Sequence, residues 1–529
     1  MGDYFLSLDI GTSSVRAALF NQDGLQKNIC DMEYGLTSTA DGRAEMDADL
    51  VFESALKVIR ACVDQSGIGR SGAVGSSECN SGCNGGGSKQ GKGCSLGRNS
   101  LAGIGISCHM HSLMLVDHGG KPLTPLMTWA DNRASEQAEY ISSHYDVGDL
   151  YNRTGCRVQH PLYPVSKILW YKKTEPDLFN KAAKFITIKE YLIFKLYGVF
   201  VVDYTLASCQ GCYNIHTQKW DDMILHDILG VSKDRFSDVV ECTHTFRNFK
   251  KEYEELLGIS RDTPLVIGSG DGIMANLGCG VRDDTSFSST IGTSGAIRTS
   301  VSSPLLDGAQ RTWCYSFTRD TWVAGGAINN GGIILRWLRE EFRKQFEFDA
   351  KQKDMSIYGI FDSFASEINP GSDGLIFLPY ITGERSPDWN ADVRGLMYGL
   401  SHFHNKKHIV RAAMEGVMFR LYSVFEVMTE LKDRAVRIMA NGGYTNSAPW
   451  LQMQADIFGK EILVPEVQEA SALGAAFLTM ITLGAATPDT ILKGMQPKSI
   501  VKPIAGNHEI YLKAYELSKQ IYNSVYPRE

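Results

Sequence analysis

The tetrapeptide Ile-Gly-Thr-Ser occurs twice in this chain of 529 residues, at Ile10 to Ser13 after Leu8-Asp9 and at Ile291 to Ser294 after Ser289-Thr290. Each copy sits between two short β-rich runs. Glycine lets backbone N–H groups come close to a ligand, and the adjoining Thr and Ser add hydroxyl donors, so an anion is the natural guest of such a turn. One Gly-Thr-Ser alone reads as a hairpin turn. Two in matched settings point to one fold used twice, with a phosphate-bearing nucleotide between the halves. Phosphoryl transfer also needs a group that orients the acceptor hydroxyl and takes its proton, and charge to hold the phosphates. Asp271 suits the first role, since it ends the apolar run Pro264-Leu-Val-Ile-Gly-Ser-Gly, and Gly268, Gly270 and Gly272 clear space around it. Asp9 suits the second, as a carboxylate that holds Mg²⁺ through water.

The elements that must position these residues are legible as periodicities. Tyr4 to Ile10 and Val15 to Phe20 read as strands around the first turn, followed by the hairpin signal Asp23-Gly24. Strand, turn, strand is not a Walker A loop, and no G-x-x-x-x-G-K-[ST] is present. Asp47 can cap a helix whose apolar face is Val51, Phe52, Ala55, Leu56, Ile59, Cys62 and Val63, and Leu101 to Cys108 reads as a strand. Between them, 66–100 is rich in Gly, Ser, Asn and Lys, with Cys79, Cys83 and Cys94, and reads as a disordered insertion. Further amphipathic helices carry Ile409, Val410, Ala413, Val417, Leu421, Val424 and Met428, and then Tyr511, Tyr515, Leu517 and Ile521. The class is α/β with mixed sheets in two lobes, 1–262 and 263–529.

A net charge of −7 argues against non-specific nucleic-acid binding and fits small-molecule chemistry. No basic, apolar leader is recognisable, and the stretch Leu473 to Ala486 is too short and alanine-rich to span a bilayer. The expectation is no membrane partner and a cytoplasmic or other intracellular location. Most of the twelve cysteines sit singly in apolar patterns. Cys209-Gln-Gly-Cys212 has the spacing of half a zinc site, but no second ligand pair follows, so these read as reduced core thiols.

Several motifs in order resemble the FGGY carbohydrate kinases: Leu8 to Ser13 as the phosphate motif, Pro164-Val-Ser-Lys167-Ile-Leu-Trp170 as the first signature, and Gly395 to Leu400 followed by His408 to Glu415 as the second. Asn441-Gly442-Gly443 resembles the adenosine-side motif, and Ser471-Ala-Leu-Gly474-Ala-Ala the helix that ends the repeat. The resemblance implies a duplicated ribonuclease-H-like, actin-like ATPase fold with a nucleotide and sugar cleft between the lobes. Cys108 to Ser112, Trp129 to Arg133 and Asn329 to Gly332 are most similar to the members that act on a sugar acid, whereas Glu384-Arg385-Ser-Pro387 is shared more widely. The implied reaction is ATP-dependent, Mg²⁺-assisted phosphorylation of D-gluconate at its 6-hydroxyl. Asp271 is the implied base, and Met110, His111, Trp129, Asp131, Arg133 and Lys167 the implied sugar side. Gly11, Thr12, Ser13, Gly292, Thr293, Gly332, Asn441, Gly442, Gly443 and Asn446 are implied on the ATP side, and Asp9 at the metal. An acid substrate needs a cation for its carboxylate, with Arg133, Lys167, His111 and His160 as candidates. The alternatives are a kinase of a neutral substrate, such as xylulose or glycerol, and an actin-like or chaperone-like ATPase acting on a protein. Whether the chain pairs as a homodimer is left open.

Overall fold

The computed structural model describes residues 3–68, 100–432, 434–466 and 469–527. The segment 69–99, with Cys79, Cys83 and Cys94 and nearly all of the expected insertion, lies outside the described residues.

Two mixed sheets organise the chain. In the first, Asp3–Ile10 (β1), Ser14–Asn21 (β2) and Gln26–Glu33 (β3) run antiparallel in sequence. On its other edge β1 pairs in parallel with Ser100–Cys108 (β4), and β4 in parallel with Leu265–Gly270 (β5). Phe5 through Ile10 are all buried, because this central strand is covered on both faces. The second sheet is built from Ser286–Ile291 (β6), Gly295–Val301 (β7), Trp313–Thr318 (β8), Thr321–Ile328 (β9), Arg437–Asn441 (β10), Glu461–Pro465 (β11) and Pro497–Val501 (β12), in the order β8-β9-β7-β6-β10-β11-β12. The plan repeats. A hairpin closed by a glycine turn has its first strand paired in parallel with a strand that arrives later, β1 with β4 and β6 with β10. The turns occupy equivalent places, closed by Ile10 opposite Val15 and by Ile291 opposite Gly295.

The boundary expected at 262 needs correction. β5 belongs to the first sheet, with Leu265 beside Ile104 and Ser269 beside Ser107. An apolar run ending in glycines reads alike whichever sheet it joins, and only the pairing partner assigns it. The first unit therefore includes β5, and the second sheet begins with β6.

Helices pack on both sheets. Ala48–Ser66 (α1) starts where Asp47 accepts from the Asp49 and Leu50 amides and stops at Gly67 in the left-handed region. Pro164–Thr174 (α2) opens on proline, whose missing N–H costs nothing in a first turn. Asp271–Gly278 (α3) follows β5 directly. Ile333–Glu341 (α4), Lys406–Leu431 (α5), Ala448–Phe458 (α6), Ala470–Thr482 (α7) and Asn507–Val525 (α8) complete the set used below. α7 belongs late in the chain yet covers the first sheet, with Ala472, Leu473, Ala476 and Phe477 packed against Phe5, Ala18 and Phe20. It also crosses α3 with almost no gap. A Cβ at Gly278 would lie 1.9 Å from the Ala470 carbonyl oxygen, and one at Gly474 1.9 Å from that of Met274. Among the described residues, no helix is long and apolar enough to cross a membrane. The nine described cysteines are free thiols, Cys209 and Cys212 buried among them.

Candidate active site

Ligand sites in open α/β sheets lie beyond the carboxyl ends of parallel strands. β1, β4 and β5 are parallel neighbours, and their ends deliver Asp9, the His109-Met110-His111 segment and Asp271 to one edge. Asp271 opens α3, and its Oδ1 accepts from the Gly272 amide at 2.6 Å. Burial pushes its carboxyl up to about 6, nearby Asp9 adds to the rise, and the Arg298 guanidinium opposes it. Asp9 Oδ2 accepts from Ser471 Oγ on α7 at 2.8 Å, whereas its Oδ1 is buried with no hydrogen-bond partner among the described residues.

Beside Asp271 lies a cavity of about 270 Å³, walled by Met110, His111 and Trp129 from the first unit and by Arg298, Tyr315 and Arg385 from the second. His111 Nε2 is 3.0 Å from Tyr315 Oη, which is itself 3.3 Å from Tyr163 Oη. Burial drives His111 well below the usual imidazole range, His109 down to about 4 and His160 to about 3, so these rings offer hydrogen bonds and no charge at neutral pH. His111 and Trp389, both on this cavity, hold φ of 64° and 50°, in the left-handed region that side chains disfavour. Such strain concentrates where a side chain must be aimed. Trp129 donates from Nε1 to Thr12 Oγ1 at 3.0 Å, and the Arg385 guanidinium lies 5.5 Å from its ring centre. Arg385 is anchored from behind. Its Nε donates to Asn329 Oδ1 at 2.7 Å, and Glu384 Oε1 accepts from the amides of Asn329 and Arg385 while Arg420 pairs with its other oxygen.

Three residues expected on the sugar side take other places. Arg133 is ion-paired with Asp131 at 2.7 Å and with Glu45, and its guanidinium lies 4.8 Å from the Trp170 ring centre. Asp131 is fully buried and also accepts from the Ala44 amide. Neither lines the cavity, because each satisfies the other's charge. Lys167 Nζ donates to the carbonyls of His111 and Thr128, at 3.1 and 2.6 Å, and so ties together the two loops that carry His111 and Trp129. Burial pulls its pKa down to about 7. Met110, His111 and Trp129 do line the cavity.

A second cavity, of about 480 Å³, lies wholly in the second unit. Gly292, Thr293, Gly332, Gly443 and Asn446 line it as expected, and Gly292 walls both cavities. Arg336 on α4 donates to Thr293 Oγ1 at 3.2 Å, and Tyr358, Phe361 and Trp450 supply apolar walls. Gly11, Thr12 and Ser13 line neither cavity, since the first turn is closed on itself by Gly11 N to Ser14 O and by Tyr34 Oη donating to the Gly11 and Ser14 carbonyls. Asn441 is also off the wall, donating to Cys279 Sγ, and Gly442 packs where a Cβ would lie 2.4 Å from the Ile291 oxygen. Arg298, Arg385, Tyr315 and Trp389 join the site without having been expected there. For Arg298 a signal existed in the sequence, a lone charge inside the otherwise apolar or small run Gly295–Val301.

The geometry agrees with known proteins. The N-terminal domain of the FGGY family of carbohydrate kinases matches residues 4–278, and its C-terminal domain residues 287–483. The chain is 38% identical over 485 residues to the gluconokinase of Bacillus subtilis (strain 168), covering 92% of this chain and 88% of that one. Gluconate kinase from Lactobacillus acidophilus superposes with a TM-score of 0.87 at 31% identity, covering 99% of this chain and 98% of that one. A ligand-bound xylulose kinase from the same species gives a TM-score of 0.87 at 30% identity, covering 99% of both chains. With both domains matched in order and both sheets in place, this chain belongs to the FGGY family of carbohydrate kinases.

Proposed function

We propose that this kinase transfers the γ-phosphoryl group of ATP to the 6-hydroxyl of D-gluconate, giving 6-phospho-D-gluconate and ADP. The observation that carries the reading is the Gly292 turn shared by two cavities, one of which holds Asp271 and a cation, Arg385. The likeness to gluconokinases selects the acid among sugars.

In this reading ATP occupies the larger cavity, with its phosphates at Gly292 and Thr293. Gluconate lies in the smaller one, its 6-hydroxyl on Asp271 and its carboxylate toward Arg385, which replaces Arg133 and Lys167 as the cation for the acid. His111 and Tyr315 offer hydrogen bonds to the sugar hydroxyls, and Trp129 an apolar face. Asp271 orients the hydroxyl and takes its proton late, because positioning outweighs basicity in a loose transition state. The unpartnered Oδ1 of Asp9 fits a Mg²⁺ site of one carboxylate plus water and phosphate, and among the described residues no group of three or more His, Cys, Asp or Glu gathers as an all-protein metal site. Bound there, Mg²⁺ would neutralise phosphate charge.

ADP release measured with Mg-ATP across gluconate, xylulose, glycerol and no acceptor tests this. Turnover should depend on gluconate. Preference for xylulose or glycerol would discard the substrate, and acceptor-independent hydrolysis alone, with no gain from any acceptor, would discard the kinase reading of the cavity.

A further inference from the structure

Arg298 is the buried cation to which the proposed reaction assigns no role so far. It projects from β7 into the sugar cavity, in a slot that two glycines leave open. A Cβ at Gly272 would lie 2.9 Å from its Nε and 3.0 Å from its Nη2, and one at Gly325 would lie 3.1 Å from its Cγ. Nη1 donates to Thr290 Oγ1 at 3.2 Å, one residue before the second Ile-Gly-Thr-Ser turn. Nε is buried and has no hydrogen-bond partner among the described residues. Such a donor is costly to leave unmade unless a ligand completes it. The guanidinium therefore sits between the backbone beside Asp271 and the strand that leads into Gly292, the seam between the two cavities.

We propose that Arg298 is a catalytic residue, whose guanidinium contacts the phosphoryl group as it passes from ATP to the acceptor. The transfer forms a bond between the acceptor oxygen and Pγ and breaks the bond from Pγ to the β–γ bridging oxygen. The electron pair leaves with ADP, and the hydroxyl proton goes to Asp271. Charge accumulates on oxygens at the seam, where a planar fork of donors in a water-poor site stabilises it. The other cation of the cavity, Arg385, is tied to Asn329 Oδ1 and the Ile328 carbonyl. The carboxylate of gluconate lies at the far end of a six-carbon chain from the hydroxyl on Asp271. The two arginines thus divide the work, Arg385 at the acid end and Arg298 at the transfer end.

The inference rests on the phosphoryl-transfer reading, and kinetics of Arg298→Ala and Arg298→Lys separate the two. In Arg298→Ala, kcat should fall by about 10²–10³-fold, the usual loss for one transition-state donor, with KM for gluconate and ATP moved less than about threefold. Arg298→Lys should lie between, since it keeps charge and loses the fork. Guanidinium ion at millimolar concentration should restore part of the Ala variant's turnover, which a merely misfolded variant would not show. Wild-type protein should bind ADP with aluminium fluoride more tightly when gluconate is present, and the Ala variant should bind ADP and gluconate without that gain. A raised gluconate KM at unchanged kcat would move Arg298 to the carboxylate and overturn the proposal, as would unchanged kinetics or an intact aluminium fluoride complex. If the wild type phosphorylates xylulose instead, only the substrate falls, and the kcat test runs with that sugar.

Discussion

In the proposed reaction Asp271 meets two opposed demands, because burial lifts its carboxyl from 3.8 to about 6 while acceptance of a proton requires the ionised form. The folded state binds this proton more tightly than the unfolded chain does, so stability falls as pH rises between those values and the loss is complete above about 6. At 1.36 kcal/mol per pH unit, an upper bound is about 3 kcal/mol, reduced by solvent screening because Asp271 is only partly buried. Asp271→Asn should therefore be more stable than the wild type at pH 8, by about 1–3 kcal/mol, with the gap closing below pH 4, while kcat drops by about 10²–10⁴-fold. Urea unfolding of both proteins at the two pH values checks this, and a gap that does not depend on pH would show that the carboxyl is not perturbed. In the wild type, kcat/KM should rise through pH about 6. Asp271 was legible in the sequence because its glycines are local. Arg133 misled because its ion pair joins Asp131, itself expected on the sugar, and Glu45, which lies 88 positions away, so a neutralised group looked like a free cation. Tyr315 reaches the cavity from a distant segment with no local mark of it, and Arg385 lay in the widely shared Glu384 to Pro387 motif without a sign of which cavity it faces.

At the scale of elements, the α3–α7 crossing fixes both carboxylates, since α3 begins with Asp271 and α7 carries Ser471 on Asp9. Gly474→Ala must move its Cβ from 1.9 Å to ordinary contact with the Met274 oxygen, against backbone that cannot swing aside. Overpacking costs about 1–3 kcal/mol, and the better helix propensity of alanine returns only about 1. Net destabilisation is expected, together with a fall in kcat of about 10²-fold, because a shift near 1 Å at the reacting groups has that effect. Thermal melting and kcat on the purified variant decide it, and a variant with wild-type kcat would free Asp271 from this crossing. The strands around both turns, the Asp47 cap with α1, and α5 could be read from local signals. The assignment of β5 could not, because register and partner are properties of the sheet. Nor could the place of α7, whose alanine-rich surface fits any close-packed face and which covers a sheet formed hundreds of residues earlier.

At the scale of the molecule, the two cavities differ in what they require. The cavity proposed for the nucleotide is lined only by residues between Ile291 and Trp450, so the second unit alone can form it. The cavity proposed for the sugar needs Met110, His111 and Trp129 from one unit and Arg298, Tyr315 and Arg385 from the other, so its shape depends on how the units meet. A ligand that binds only the joined arrangement stabilises that arrangement by its differential affinity, and one indifferent to it does not. Gluconate should therefore act as the clamp, and ADP should not. Hydrogen–deuterium exchange resolves this. ADP alone should slow exchange around 291–293 and 443–450 and leave 109–112 and 128–130 unchanged. Gluconate should slow exchange on both sides of the cavity, including 313–316 and 385–389. Closure driven by the acceptor keeps water from the phosphoryl group until the hydroxyl is in place, which limits wasteful ATP hydrolysis. Protection of 109–112 by ADP alone would mean that the nucleotide closes the units, and the enzyme would then lack this safeguard and should hydrolyse ATP without acceptor at a measurable rate.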